Sequence, residues 1–337
     1  MKSILSSLFA LSMLSLSSAH ARCSAQCHFP AIFNFGDSNS DTGGLSSAFG
    51  QAGPPHGSSF FGSPAGRYCD GRLVIDFIAE SLGLPYLSAF LDSVGSNFSH
   101  GANFATAGSP IIALNSTLRQ SGFSPFSLDV QFVQFSNFHN RSQTVRSHGG
   151  VYTTMLPEAD SFSQALYTFD IGQNDLTAAY FANKTVEQIG TTDVPEIISQ
   201  FKNAVTYIYA QGGRYFWIHN TGPIGCLAYV IEWFPLKASD FDSHGCVSPL
   251  NHLAQQFNDA LKQAVIEGHG FKRSLVACCG HGGKYNYNKN IGCGKKVTPC
   301  DEPDKAVIWD GVHFTQAANK FIFDKIAAGL SMACHRQ

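Results

Sequence analysis

The stretch Ala31-Ile32-Phe33-Asn34-Phe35-Gly36-Asp37-Ser38-Asn39-Ser40-Asp41-Thr42-Gly43-Gly44 decides the fold class. Ala31 to Phe35 is a short apolar run of strand length, and Gly36-Asp37-Ser38 with the turn-rich Asn39 to Gly44 ends it. A chain that turns sharply after a buried strand exposes its next side chain, here Ser38.

The same pattern recurs downstream. Ala102 to Ala105 reads as a second strand running into Gly108, Ala165 to Ile171 as a third entering Gly172-Gln173-Asn174-Asp175, and Tyr215 to Ile218 as a fourth. Between and after them lie helical patterns. Leu73 to Leu82 stops at Gly83, and Leu128, Phe132, Phe135 and Phe138 form an aromatic core stripe. Asp193-Val194-Pro195-Glu196 has the composition of a helix start, with Asp193 as N-cap, and Ile197, Phe201, Val205 and Ile208 continue its apolar face to Gly212-Gly213. Further helices are predicted from Leu250 to Glu267 and from Thr315 to Leu330. Strands alternating with helices predict an α/β fold, a three-layer α/β/α sandwich with a mainly parallel sheet, whose function collects where the strands end. The Ser38 turn, the Gly108 loop and the Asn174 turn each follow a different strand, so they can converge over one crevice.

The ends and the composition set limits. Met1 to Ala21 has a lone Lys2, an apolar run and the small-residue ending Ala19-His20-Ala21, the layout of a cleaved signal peptide. Residues 22–337 then form one catalytic domain, secreted to the extracellular space or cell wall, with the vacuole as an alternative. No segment offers the roughly 20 uncharged apolar residues of a membrane span. A net charge of -2 with scattered Lys and Arg gives no surface for nucleic acid and points to a neutral small-molecule or saccharide substrate. The 10 cysteines, all beyond residue 21, read as disulfides in an oxidising compartment, with Cys226–Cys246 and pairs among Cys278, Cys279, Cys293 and Cys300 closing short loops. A zinc site from the second group with His281 is the weaker alternative. Asn97, Asn115, Asn140 and Asn183 each begin a glycosylation sequon.

Asp310-Gly311-Val312-His313 sits just ahead of the last helical pattern. A carboxylate three residues before an imidazole can bind one ring nitrogen and leave the other to take a proton from a serine. Singly, these motifs are weak, and each has an ordinary turn as its structural explanation. Their order is specific.

Phe33 to Gly44, Gly101-Ala102-Asn103-Phe104-Ala105-Thr106-Ala107-Gly108, Asp170 to Asp175 and Trp309-Asp310-Gly311-Val312-His313-Phe314 resemble, in order, the blocks of plant GDSL esterase/lipases of the SGNH hydrolase superfamily. His219 to Pro223 and Cys278 to Gly283 are also similar to plant members. The resemblance implies a carboxylic ester hydrolase acting on an acyl or acetyl ester. Ser38 would be the nucleophile, His313 the general base and Asp310 its orienting partner; the Ser38 and Gly108 N–H groups and the Asn174 amide would form the oxyanion hole. No metal and no cofactor is implied. The competing readings are acyl transfer at the same site and an idle binding or storage glycoprotein. One departure stands out: plant relatives place a strand and a helix before the Cys278-Cys279 block, whereas here only Gly268 to Ser274 follows Glu267. The sheet is therefore expected to lack one strand, with Leu275 to Ala277 a poor substitute.

Overall fold

The computed structural model describes residues 28–333 apart from 114–123, 235, 260–276, 289 and 295–296. The predicted leader, Asn115, the end of the helix predicted to reach Glu267, and Leu275 lie outside the described residues.

Four strands form one parallel sheet: β1 (Ile32–Gly36), β2 (Gly101–Asn103), β3 (Leu166–Asp170) and β4 (Tyr215–Ile218), in the order β2-β1-β3-β4. Phe33 pairs with Ala102 on one side and with Tyr167 on the other, and Tyr167 pairs with Phe216. Eight helices matter for the site: α1 (Gly44–Phe49), α2 (Val74–Ser81), α3 (Leu128–His148), α4 (Gln173–Phe181), α5 (Val194–Ala210), α6 (Ala228–Trp233), α7 (Ser248–Asn258) and α8 (Gln316–Ala333).

Side chains alternate across a strand, and this alternation builds the layers. Phe33, Phe35, Tyr167 and Phe169 face a core with Phe132, Phe135 and Phe138 of α3 and Ile197 and Ile208 of α5. Ile32, Leu166 and Trp217 face the opposite core, with Ile75, Phe77 and Ile78 of α2 and Phe323 of α8. The predicted aromatic stripe is thus core: the Phe135 ring meets Phe33 edge-on at 5.4 Å.

One expectation is corrected. Asp193 is not an N-cap, because its own dihedrals are helical and its side chain caps nothing. The helical path begins earlier, where Thr185 accepts from the Gln188 N–H and Gln188 reaches back to the Thr185 N–H. Asp193 instead pairs with Lys184. Of the sequons, Asn97, Asn140 and Asn183 are exposed, Asn140 within α3.

Cysteines pair as Cys226–Cys246, Cys278–Cys300 and Cys279–Cys293, while Cys69 is buried and free. With their sulfurs joined in pairs, the four cysteines near His281 leave no thiolate for zinc. The N–H groups of Cys278 and Cys279 bond to the carbonyls of Ile308 and Trp309 at 2.9 and 2.6 Å. The disulfide-bonded segment therefore braces the chain entering Asp310, support that does not come from a sheet strand.

Candidate active site

Ser38 occupies the turn after β1 and is only 4% exposed. Three strands hold this turn from beneath through buried polar side chains. Asn34 of β1 accepts from the Thr168 hydroxyl of β3 at 2.7 Å and donates to Asn103 Oδ1 of β2 at 2.8 Å, while Asn103 donates to the Ser40 carbonyl at 2.6 Å. A polar group buried this deeply is stable only when partnered, and each of these side chains partners another.

Asp41 ties the turn to its neighbours. Its carboxylate accepts the N–H groups of Gly43, Gly44, Leu45 and Ala107, so the start of α1 and the loop before Gly108 are held on one group. Gly108 has φ of 80°, a conformation that a side chain would strain, and this places its N–H in the loop beside α4. Asp175 of α4 accepts from the N–H groups of Ile111 and Ile112, and Asn174 donates to the Ser109 carbonyl at 3.0 Å and to Asp37 Oδ2 at 3.2 Å. The Ser38 turn, the Gly108 loop and Asn174 are therefore joined directly. Among the described residues, the N–H groups of Ser38 and Gly108 donate to no protein group.

Burial raises the carboxyls of this region. Asp175 is pushed up to about 7 by burial, against its backbone hydrogen bonds. Asp37 is raised well above the usual carboxylate range by burial and by the neighbouring Asp170 charge, and Asp41 is raised by burial.

Asp310 and His313 meet across one turn. His313 Nδ1 lies 2.7 Å from Asp310 Oδ2 and 2.9 Å from Oδ1, and Oδ1 also accepts the N–H groups of Val312 and His313. Burial opposes a charged Asp310, yet the His313 imidazole, by charge and hydrogen bond, and His56 hold its carboxyl far below the ordinary range. An ionised carboxylate only accepts, so the Nδ1 proton lies on this bond and Nε2 is left as the basic nitrogen. Gly311 has φ of 97°, and a Cβ there would lie 2.4 Å from the Tyr287 ring.

Two tyrosines that sequence reading did not single out connect the halves. The Tyr229 N–H bonds to the Gly311 carbonyl at 3.2 Å, while its buried phenol lies by Thr177 of α4 and feels the Asp37 charge. Tyr68 packs its ring 5.4 Å from the His313 ring and lies by Ser46 of α1. Among the described residues no hydrogen bond joins Ser38 Oγ to His313; such bonds often close only when substrate is bound. His219, in another shared motif, is a partly buried histidine whose pKa desolvation lowers, with Asp170 opposing. No helix among the described residues is long and apolar enough to cross a membrane.

Comparison with known proteins gives a consistent picture. The family model described as GDSL-like Lipase/Acylhydrolase matches residues 32–326. A protein named Alpha-L-fucosidase 3 from Arabidopsis thaliana is 80% identical over 376 aligned residues, covering 100% of both chains. GDSL esterase/lipase ACHE from Zea mays is 52% identical over 94% of this chain and 91% of its own. A protein named Esterase from Hevea brasiliensis is 48% identical over 97% of this chain and 94% of its own. The first alignment spans 376 positions although this chain has 337 residues, so it includes positions that this chain skips.

Proposed function

Because the chain belongs to the GDSL-like lipase/acylhydrolase family, whose plant members include curated esterases, and is thereby a carboxylic ester hydrolase, we propose that it works through an acyl-enzyme on Ser38. The observation that carries this reading is the Asp310–His313 hydrogen bond, which fixes the ring with its basic Nε2 turned away from the carboxylate. His313 takes the Ser38 proton as Oγ attacks the ester carbonyl, then gives it to the leaving alcohol. Water repeats the sequence and frees the acid. The uncommitted N–H groups of Ser38 and Gly108 receive the oxyanion. Asn174 joins them by exchanging its longer bond, to Asp37, for one to the oxyanion. The three disulfides among the described residues support a secretory route, in which the Met1–Ala21 leader is removed and residues 22–337 act as one domain, outside the cell or in the vacuole. The substrate is a small-molecule or saccharide ester.

The fucosidase name of one relative supports a second reading, glycoside hydrolysis. That chemistry ordinarily uses two carboxyl groups about 5 to 9.5 Å apart, one of them free to protonate the leaving oxygen. Asp310 is committed to His313, and Asp37 is fully buried and accepts from Asn39 and Asn174, so the arrangement favours ester chemistry. Turnover of p-nitrophenyl acetate and butyrate against p-nitrophenyl α-L-fucoside separates the two. Ester turnover lost in Ser38→Ala at unchanged thermal stability, with phosphonate labelling of Ser38 in the parent, is the expected result; full activity in that variant rules out the serine mechanism. Transfer to an added alcohol would appear as a new ester product.

A further inference from the structure

His56 lies in the turn Pro54-Pro55-His56-Gly57, outside every motif of the site, and is buried. Its Nδ1 is 2.9 Å from the Gly53 carbonyl oxygen. A carbonyl only accepts, so Nδ1 carries a proton and donates it there. The ring is fixed edge-on between Trp309, at 5.9 Å, and Tyr68, at 6.0 Å. Its other nitrogen, Nε2, is buried without a hydrogen-bond partner and lies 3.8 Å from Asp310 Oδ2.

Burying a polar nitrogen without a partner is unfavourable, and a bare lone pair facing a carboxylate is more so. A hydrogen bond closed between Nε2 and Asp310 Oδ2 by a small approach removes both penalties. The ring then spans from the Gly53 carbonyl on one side to Asp310 on the other. The acceptor oxygen is available for this. Oδ1 of Asp310 already takes three N–H groups, from Val312, His313 and the His313 ring, whereas the shortest contact of Oδ2 is the single bond from His313 Nδ1. The titratable groups facing His56 are Asp310 and Tyr68, with His313 beyond the carboxylate.

We propose that His56 is a positioning residue for the catalytic pair, completing a His56–Asp310–His313 chain in which one carboxylate is held by two imidazoles. This rests on the acyl-enzyme reading above. His56 touches no reacting atom; it fixes the plane of the carboxylate, and through it the orientation of His313. Partners of this kind typically change activity 10- to 100-fold when removed, although they never meet substrate.

The test compares His56→Leu, His56→Gln and His56→Asn in the full-length secreted protein, by kcat and KM on p-nitrophenyl butyrate, phosphonate labelling of Ser38 and thermal unfolding. The Gln amide extends far enough to stand in for Nε2, and the shorter Asn amide stands in for Nδ1 alone. The expected result is a kcat roughly tenfold lower in His56→Leu and His56→Asn with KM within about twofold, and recovery of most of the loss in His56→Gln. Equal kcat in Gln and Asn variants, or parental kcat in His56→Leu, overturns the proposal; if His56→Leu does not fold, the Gln and Asn pair decides. A parent enzyme that labels at Ser38 while the variants match it refutes the role of His56 alone. A parent that never labels refutes the serine reading and this inference with it.

Discussion

The two edges of the sheet are built in opposite ways. At the β2 edge all three residues are buried, and the neighbouring chain closes over it: the Asn103 N–H bonds to the Ser88 carbonyl at 3.0 Å, and the Phe90 N–H to the Asn103 carbonyl at 2.8 Å. At the β4 edge Tyr215 is 39% exposed and Phe216, Trp217 and Ile218 are half-buried. Among the described residues no segment pairs with its outer side. The closed half holds the Ser38 turn, the Gly108 loop and their buried amides. The open half is where an additional strand would belong in a sheet of this order. An unpaired strand edge is ordinarily blunted or covered, so this is the edge on which the expectation of a missing strand bears. The turn that carries Ser38 is held from the closed edge, and the open edge bears first on stability.

The largest effect should come from breaking the closed half. Asn34→Ala removes the partner of Thr168 and of Asn103 at once, leaving buried polar groups unmet at about 1 to 3 kcal/mol each. A loss of about 3 to 5 kcal/mol in urea unfolding is expected, with ester turnover falling because the Ser40 carbonyl is held by the same amides. A loss below about 1 kcal/mol would show that the network is not what fixes the turn.

Restoring the open half should give a smaller gain. Inserting a relative's strand-helix segment after Glu267 covers Phe216, Trp217 and Ile218, and completing the burial of such side chains is worth about 1.5 to 3 kcal/mol each at most. An increase of about 2 to 4 kcal/mol, with kcat changed less than Tm, is expected. Equal melting temperatures would mean that the edge is already satisfied.

A pH series distinguishes the halves by charge. Between the ordinary carboxylate value of 3.8 and about 7, Asp175 is ionised in the unfolded chain but protonated in the folded one. The folded state then binds more protons, so stability falls as pH rises through that window. Asp37, Asp41 and Asp170 are shifted in the same direction. Asp310 has the opposite sign: its contribution is present above 3.8 and is lost as pH falls toward its depressed folded value. Stability should be greatest near pH 4 to 5 and about 3 kcal/mol lower at pH 7.5, with Asp175→Asn flattening the decline. A melting temperature that rises from pH 5 to 7.5 would contradict the assigned shifts.

The smallest effect belongs to Tyr215→Ala. It is 39% exposed and its ring meets Phe29 edge-on at 5.4 Å, so a change within about 1 kcal/mol is expected by the same unfolding assay. A substantially larger loss would mean that the β4 edge is covered after all.

The sequence by itself determined the four strands, the order of the motifs and the meeting of Asp310 with His313, because each is written in local signals: strand-length apolar runs ended by turn residues, and a carboxylate and imidazole three residues apart. It also limited the disulfides, since short loops restrict which cysteines can meet. Only the tertiary structure decided that Asn34, Asn103 and Thr168, three polar residues in otherwise apolar strands, form one buried network, because their pairing depends on strand register. The same holds for Thr185 displacing Asp193 as helix start, where a continuous helical path overrode a good local signal. It holds also for Tyr68, Tyr229 and His56, whose positions in sequence carry no motif. Their closeness to the site comes from loops folded back over the sheet, and a linear pattern has no means of recording that distance.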